Sequence, residues 1–263
     1  MFERRAVLAG LLGLFAACAG SGGGDGDTSR VGDAAPVLVS AAASLSEVMA
    51  VIADRFEGAT GSAIRLNVAG SQMLASQIIE GAPVDLFVSA DELQMERVAE
   101  AGRIDAGSRI DLLTNQLVVV VPSDRPGTVA APRDLARASI ERLALGDPDA
   151  VPAGVYARDW LRAAGLWGAV ATKVVPASNV RAALRAVESG AADAGIVYRT
   201  DVRTATGAIV AFEVPIGDGP AIVYPAAVAT GAPNRSGAVR FLDYLQTSAV
   251  RPLFEAAGFV TLR

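Results

Sequence analysis

Beyond Pro36 the chain alternates short apolar, β-branched runs with segments whose apolar residues recur at helical spacing, and few folds accommodate that alternation. "VLVSAA" reads as a buried strand, after which Leu45, Val48, Met49, Ile52 and Phe56 fall on one helical face. "AIRLNVA" and "VDLFVSA" are further strands, followed by helices over 72–80 and 91–101 that Gly81, Pro83 and Gly102 terminate. "QLVVVVP", "RLALG", "KVVPA", "AGIVY", "AIVAFEVP" and "AIVYPAAVA" continue the strand series. "PAGVYARDWLRAAG" and "NVRAALRAVESG" supply helices between them, and two more are expected at 236–246 and 249–257. The pattern predicts an α/β fold with mostly parallel sheets flanked by helices.

The composition removes much chemistry. The 263 residues carry no histidine and one cysteine, Cys18, so a Ser-His-Asp triad, a histidine metal site and an intrachain disulfide are excluded. A net charge of -5 with no basic block argues against nucleic acid, whose phosphates demand a cationic surface. Asp85 and Asp91 flank a strand and read as turn or cap aspartates rather than a catalytic pair.

Residues 1–35 read as a signal peptide and flexible tether. Arg4 and Arg5 precede an apolar run too short to span a bilayer, and a Gly/Ser/Asp tract follows. "RRAVL" also resembles a twin-arginine signal. "LFAAC" places Cys18 where a bacterial lipoprotein signal carries its acylated cysteine, whereas cleavage after Ala19 would discard it. The mature chain is expected outside the cytoplasm, soluble or lipid-tethered.

Several strand-to-helix turns share one chemistry. In "AAASLSE", Ser44 is expected to cap a helix, with Glu47 completing a capping box. "VAGSQ" places Ser71 at a helix start, "DAVPAG" places Ala153 in a first turn, and "SNVRA" places Val180 just after a capping Asn179. Turns at the carboxyl ends of parallel strands are where α/β proteins bind ligands. A helix's first turn offers unpaired N–H groups and partial positive charge, which suit an anion. Alanine and glycine there leave the amides uncovered. Tyr198, ending "AGIVY", is a candidate further donor.

Together "AAASL", "LASQIIEGAPVDLFVSAD", "GDPDAVPAGVYA", "NVRAAL" and "GIVYRTD" resemble the molybdate-binding proteins of bacterial molybdate ABC importers, from about residue 37 to the C-terminus. The resemblance implies a type II periplasmic binding protein with an oxyanion enclosed between two lobes, one at 36–114 plus 226–263 and the other at 115–225. It implies molybdate or tungstate as ligand, no cofactor and no catalysis. The implied contacts are Ser44, Ser71, Ala153, Val180 and Tyr198. It further implies a monomer that delivers its anion to a membrane permease and its ATPase, contacting the membrane only through a lipid anchor. Gln72 departs from the serine often found there, and Arg199, next to Tyr198, reads as a solvated surface arginine. A receptor for sulfate or another oxyanion, and an enzyme acting on a small anion in the same cleft, are the alternatives.

Overall fold

The computed structural model describes residues 35–262, so the signal segment and Cys18 lie outside the described residues. β1 (Val37–Ala42) passes through a 3-10 turn at Ala43–Leu45 into α1 (Ser46–Thr60). β2 (Ile64–Ala69) leads into α2 (Ser71–Ile79), and β3 (Leu86–Val88) into α3 (Glu92–Glu100). β4 (Ile110–Thr114) runs through Asn115 and Gln116 into β5 (Leu117–Pro122). β6 (Leu143–Gly146) precedes α4 (Pro152–Ala163) and α5 (Trp167–Val170), and β7 (Val174–Ala177) precedes α6 (Val180–Glu188). β8 (Ala194–Tyr198) is followed by α7 (Arg199–Val202) and β9 (Ala208–Glu213). The chain closes with β10 (Val223–Val228), α8 (Arg235–Leu245), α9 (Arg251–Ala256) and β11 (Val260–Thr261).

The strands form two sheets, ordered β11-β4-β10-β3-β1-β2 and β7-β6-β8-β5-β9. The chain crosses between them at 115–116, from β4 to β5, and at 214–222, from β9 to β10. Each sheet has a parallel half, β3-β1-β2 in the first and β7-β6-β8 in the second. The crossing strands pair antiparallel, β10 with β3 and β4, and β5 with β8 and β9. The mostly parallel expectation is therefore corrected to mixed sheets. A strand arriving directly from the other sheet needs no helical crossover, so nothing forces it parallel.

Burial explains the continuous apolar runs. Val118, Val119, Val120 and Val121 of β5 are all 0% exposed, because neighbouring strands cover both edges and helices cover the faces. On α6, Val180, Ala183, Leu184 and Val187 are buried at helical spacing, while Arg185 is exposed. Burying a side chain such as Leu184 stabilises the fold by about 1.5–3 kcal/mol, and truncating it to alanine costs about 2–5 kcal/mol. α1 stops where Gly61 takes a left-handed conformation, φ 70°, and its N–H caps the Glu57 carbonyl.

Candidate functional site

At the carboxyl ends of the parallel strands a small cavity collects Ser44, Ser71, Ala153, Val180 and Tyr198, the five residues the sequence singled out. The hollow measures about 220 Å³ with its opening to solvent included, and Gly70, Ala90 and Asn179 contribute to its wall. Every lining residue except Asn179 is buried. No lining residue has a charged side chain. Among the described residues, no group of three or more His, Cys, Asp or Glu side chains is placed to hold a metal ion.

Each wall residue reaches the cavity for a local reason. Val180 is the first residue of α6, behind an Asn179 whose Oδ1 accepts from Ala182 N–H at 2.9 Å, the expected cap. Ala153 follows Pro152, which suits a first helical turn because a missing N–H costs nothing there. Gly154 lets α4 sit directly on the end of β6, since a Cβ at that position would run into the Gly146 carbonyl. Gly70, just before α2, has the Gln72 amide and the Ser178 carbonyl where a Cβ would stand. The small residues around the cavity thus allow backbone to approach backbone.

The unpaired groups on the residues the sequence singled out are donors. Among the described residues the N–H groups of Ser71, Ala153 and Val180 meet no hydrogen-bond acceptor. Ser71 Oγ accepts from Ala90 N–H at 2.9 Å, which leaves its own proton uncommitted. The Tyr198 hydroxyl is buried with no partner. Burial, reinforced by Tyr224, Tyr156, Asp91 and Asp201, holds the Tyr198 phenol well above its ordinary pKa, so it remains a proton donor. A buried polar atom left bare costs about 1–3 kcal/mol, which an acceptor in the cavity would remove.

Ser44 behaves differently from its expected capping role. α1 begins at Ser46 with Leu45 at the cap position and no side-chain cap, because the 3-10 turn places Ser44 outside the helix. The Ser44 hydroxyl pairs instead with Tyr224 OH at 2.9 Å. Glu47 is not part of a capping box, since its carboxylate reaches across to the Arg181 guanidinium. Arg181 lies beside the cavity but is spent elsewhere, its Nε 3.0 Å from Asp201 Oδ1 and its other nitrogens on Glu47, Thr204 and the Asp201 carbonyl. Arg199 is about half exposed and 3.6 Å from Glu213, away from the cavity wall.

Asp91 is the N-cap of α3, accepting from Gln94 N–H at 2.9 Å, and Asp85 accepts from the N–H groups of Leu38 and Asn234. Asp91 is thus the expected cap, whereas Asp85 serves no turn of its own and ties together backbone from two segments distant in sequence. Burial pushes the Asp91 carboxyl up to about 6, against the bonds from Gln94 and Ser89 that lower it. Burial likewise pushes Asp201 up to about 7, a rise that Arg181 offsets only in part. Sequence reasoning missed Tyr224 and Asn115, which line no predicted turn; Gln72, which it singled out as a departure, donates through Nε2 to the Ser178 carbonyl at 2.9 Å.

Two interlinked α/β sheets with a small buried cavity at their strand ends define a type II periplasmic binding protein. Comparison with known proteins agrees: residues 37–260 match the family described as "Bacterial extracellular solute-binding protein". The molybdate-binding protein ModA of Escherichia coli is 37% identical over 235 residues, 88% of this chain and 91% of that protein. A Bacillus subtilis protein, provisionally named an ABC transporter substrate-binding lipoprotein, is 32% identical over 98% of this chain and 99% of its own length. The periplasmic molybdate-binding protein of Azotobacter vinelandii superposes with a TM-score of 0.78 at 26% identity, covering 86% of this chain and all of that one. The chain belongs to the bacterial extracellular solute-binding proteins, in the group that contains the molybdate-binding proteins. Members of that family bind and carry a solute outside the cytoplasm.

Proposed function

We propose that this protein captures molybdate or tungstate and hands it to the permease of an ABC importer. One observation carries the reading: the cavity wall offers uncharged donors, from Ser44, Ser71, Ala153, Val180 and Tyr198, and no charged side chain. A hydrogen bond to a charged group is worth about 1.5–3 kcal/mol. Several of them, less the cost of closure, reach the roughly -8 kcal/mol of a micromolar complex or better. Molybdate and tungstate carry no proton at neutral pH, so all four oxygens accept. The names of the Escherichia coli and Azotobacter vinelandii relatives support molybdate over sulfate.

In this reading the two sheets are the centres of two lobes, about 36–114 plus 226–263 and 115–225, that close on the anion about the crossings at 115–116 and 214–222. Gln72 to Ser178 and Arg181 to Glu47 bridge the lobes. The protein acts as a monomer and carries out no reaction of its own. Cys18 is the site of lipid attachment, supported by the Bacillus subtilis relative's name. Fatty-acid labelling that is lost in Cys18→Ser tests the anchor. Calorimetric titration with molybdate, tungstate, sulfate and phosphate tests the ligand. Molybdate and tungstate are expected to bind at micromolar concentration or below, and tighter binding of sulfate would overturn the assignment.

A further inference from the structure

Tyr224 is 0% exposed on β10, and its phenol oxygen meets two groups, Ser44 Oγ at 2.9 Å and Asn115 Nδ2 at 3.1 Å. The far end of the Asn115 amide settles which way protons run. Its Oδ1 accepts from Gln116 N–H at 2.9 Å, so Nδ2 is the atom facing Tyr224, and also Thr200 Oγ1 at 2.9 Å. An amide nitrogen only donates. The Tyr224 oxygen therefore accepts from Asn115, and its single proton goes to Ser44 Oγ. Ser44 must then send its own proton elsewhere. Its hydroxyl has no second partner among the described residues, and Ser44 borders both the cavity and a larger outer hollow lined by Glu47 and Arg181, so the cavity is one of the two spaces open to that proton.

We propose that Asn115 and Tyr224 form a hydrogen-bond relay that fixes Ser44 as a donor, making Tyr224 a specificity-determining residue for fully deprotonated oxyanions. The inference rests on the molybdate reading and deepens it. A free serine hydroxyl donates to one ligand and accepts from another. The relay fills one of the hydroxyl's two acceptor positions and turns its proton toward the ligand. In Ser71 the Ala90 N–H fills one acceptor position in the same way. A bare dianion meets only donors in such a cavity. Hydrogen phosphate brings a P–O–H whose proton needs an acceptor, and the relay sets the Ser44 proton against it. Asn115 stands in the first crossing between the sheets and also bonds Thr200 of α7, so the relay is anchored on both sides of the crossing.

The test is a double-mutant cycle on the purified protein at pH 8, with Tyr224→Phe, Ser44→Ala and both together. Each protein is titrated with molybdate, and hydrogen phosphate is then used as competitor. Phenylalanine keeps the ring, whose neighbours are Tyr198 at 5.9 Å and Phe259 at 5.4 Å between centroids. Tyr224→Phe is expected to weaken molybdate roughly three- to ten-fold without weakening hydrogen phosphate, so that the preference narrows. In the Ser44→Ala background the same change is expected to be silent. Asn115→Ala, which removes the donor and leaves the phenol, narrows the preference in the same direction. Equal weakening of both anions, or an undiminished loss in the Ser44→Ala background, would reduce Tyr224 to packing and overturn the relay. If the unaltered protein fails to bind molybdate, the parent reading falls instead.

Discussion

Val180→Pro isolates a single main-chain donor. Val180 opens α6, its N–H has no acceptor among the described residues, and the preceding Asn179 is extended at φ -164°, ψ 171°. Proline is tolerated at a helix's first position and favours an extended residue before it, so the substitution removes the N–H and leaves α6 in place. Losing one hydrogen bond to a charged ligand costs about 1.5–3 kcal/mol, a roughly ten- to 150-fold rise in Kd. Val180→Ala is the control. It keeps the N–H but gives up two methyl groups from a site 4% exposed, about 1.5 kcal/mol of stability. That loss lowers Tm by about 3–6 °C for a chain of this length. Calorimetric titration with molybdate and thermal melts without it give both readouts. The alanine variant is expected to melt earlier and bind nearly as the parent does, and the proline variant to bind far more weakly. If Val180→Pro binds as tightly as Val180→Ala, the α6 amide is not a ligand contact and the donor argument for the cavity fails.

Tyr198→Phe removes a buried hydroxyl that has no partner among the described residues, so molybdate affinity is expected to fall about ten-fold or more while ligand-free Tm does not fall. A lower ligand-free Tm with unchanged affinity would contradict it. Gln72→Ala deletes the bond to the Ser178 carbonyl, and stopped-flow release of molybdate is expected to quicken roughly two- to ten-fold with little change in association rate. Glu47→Gln breaks the ion pair to Arg181, and because the Glu47 side chain is 56% exposed its effect on affinity should be small and fade in high salt. Asp91 titrates near 6 in the fold, above its ordinary 3.8, so its stabilising contribution is complete below about pH 4 and lost as pH rises through 6. Asp91→Asn keeps an acceptor at the cap, and it should flatten that part of a plot of Tm against pH; an unchanged slope would show that Asp91 is not the group responsible.

Much of the fold was legible because it is local. The apolar spacing of α6, the Asn179 cap and the glycine stops after α2 and α3 are all fixed by residues within one or two turns. The five cavity residues were legible by chemistry, since small residues at helix starts leave amides bare. β4 and β11 were not, being short strands whose identity comes from pairing with each other and, for β4, with β10. The antiparallel crossings escaped notice for a related reason: a strand's own sequence does not say which sheet its neighbour belongs to. Ser44 is the sharpest case. Its local sequence satisfies a capping box, but a phenol 180 residues away takes its hydroxyl, and Asn115 is 109 residues from that same phenol. No window of sequence contains those three together.

Peptide N–H groups at α2, α4 and α6 supply much of the cavity's bonding capacity, and every residue but proline owns one. Drift at Ala153 or Val180 can therefore alter the shape of the hollow while leaving its electrical character intact. A descendant wanting a smaller or larger anion need only change bulk there, and its chemistry of recognition would come along unaltered.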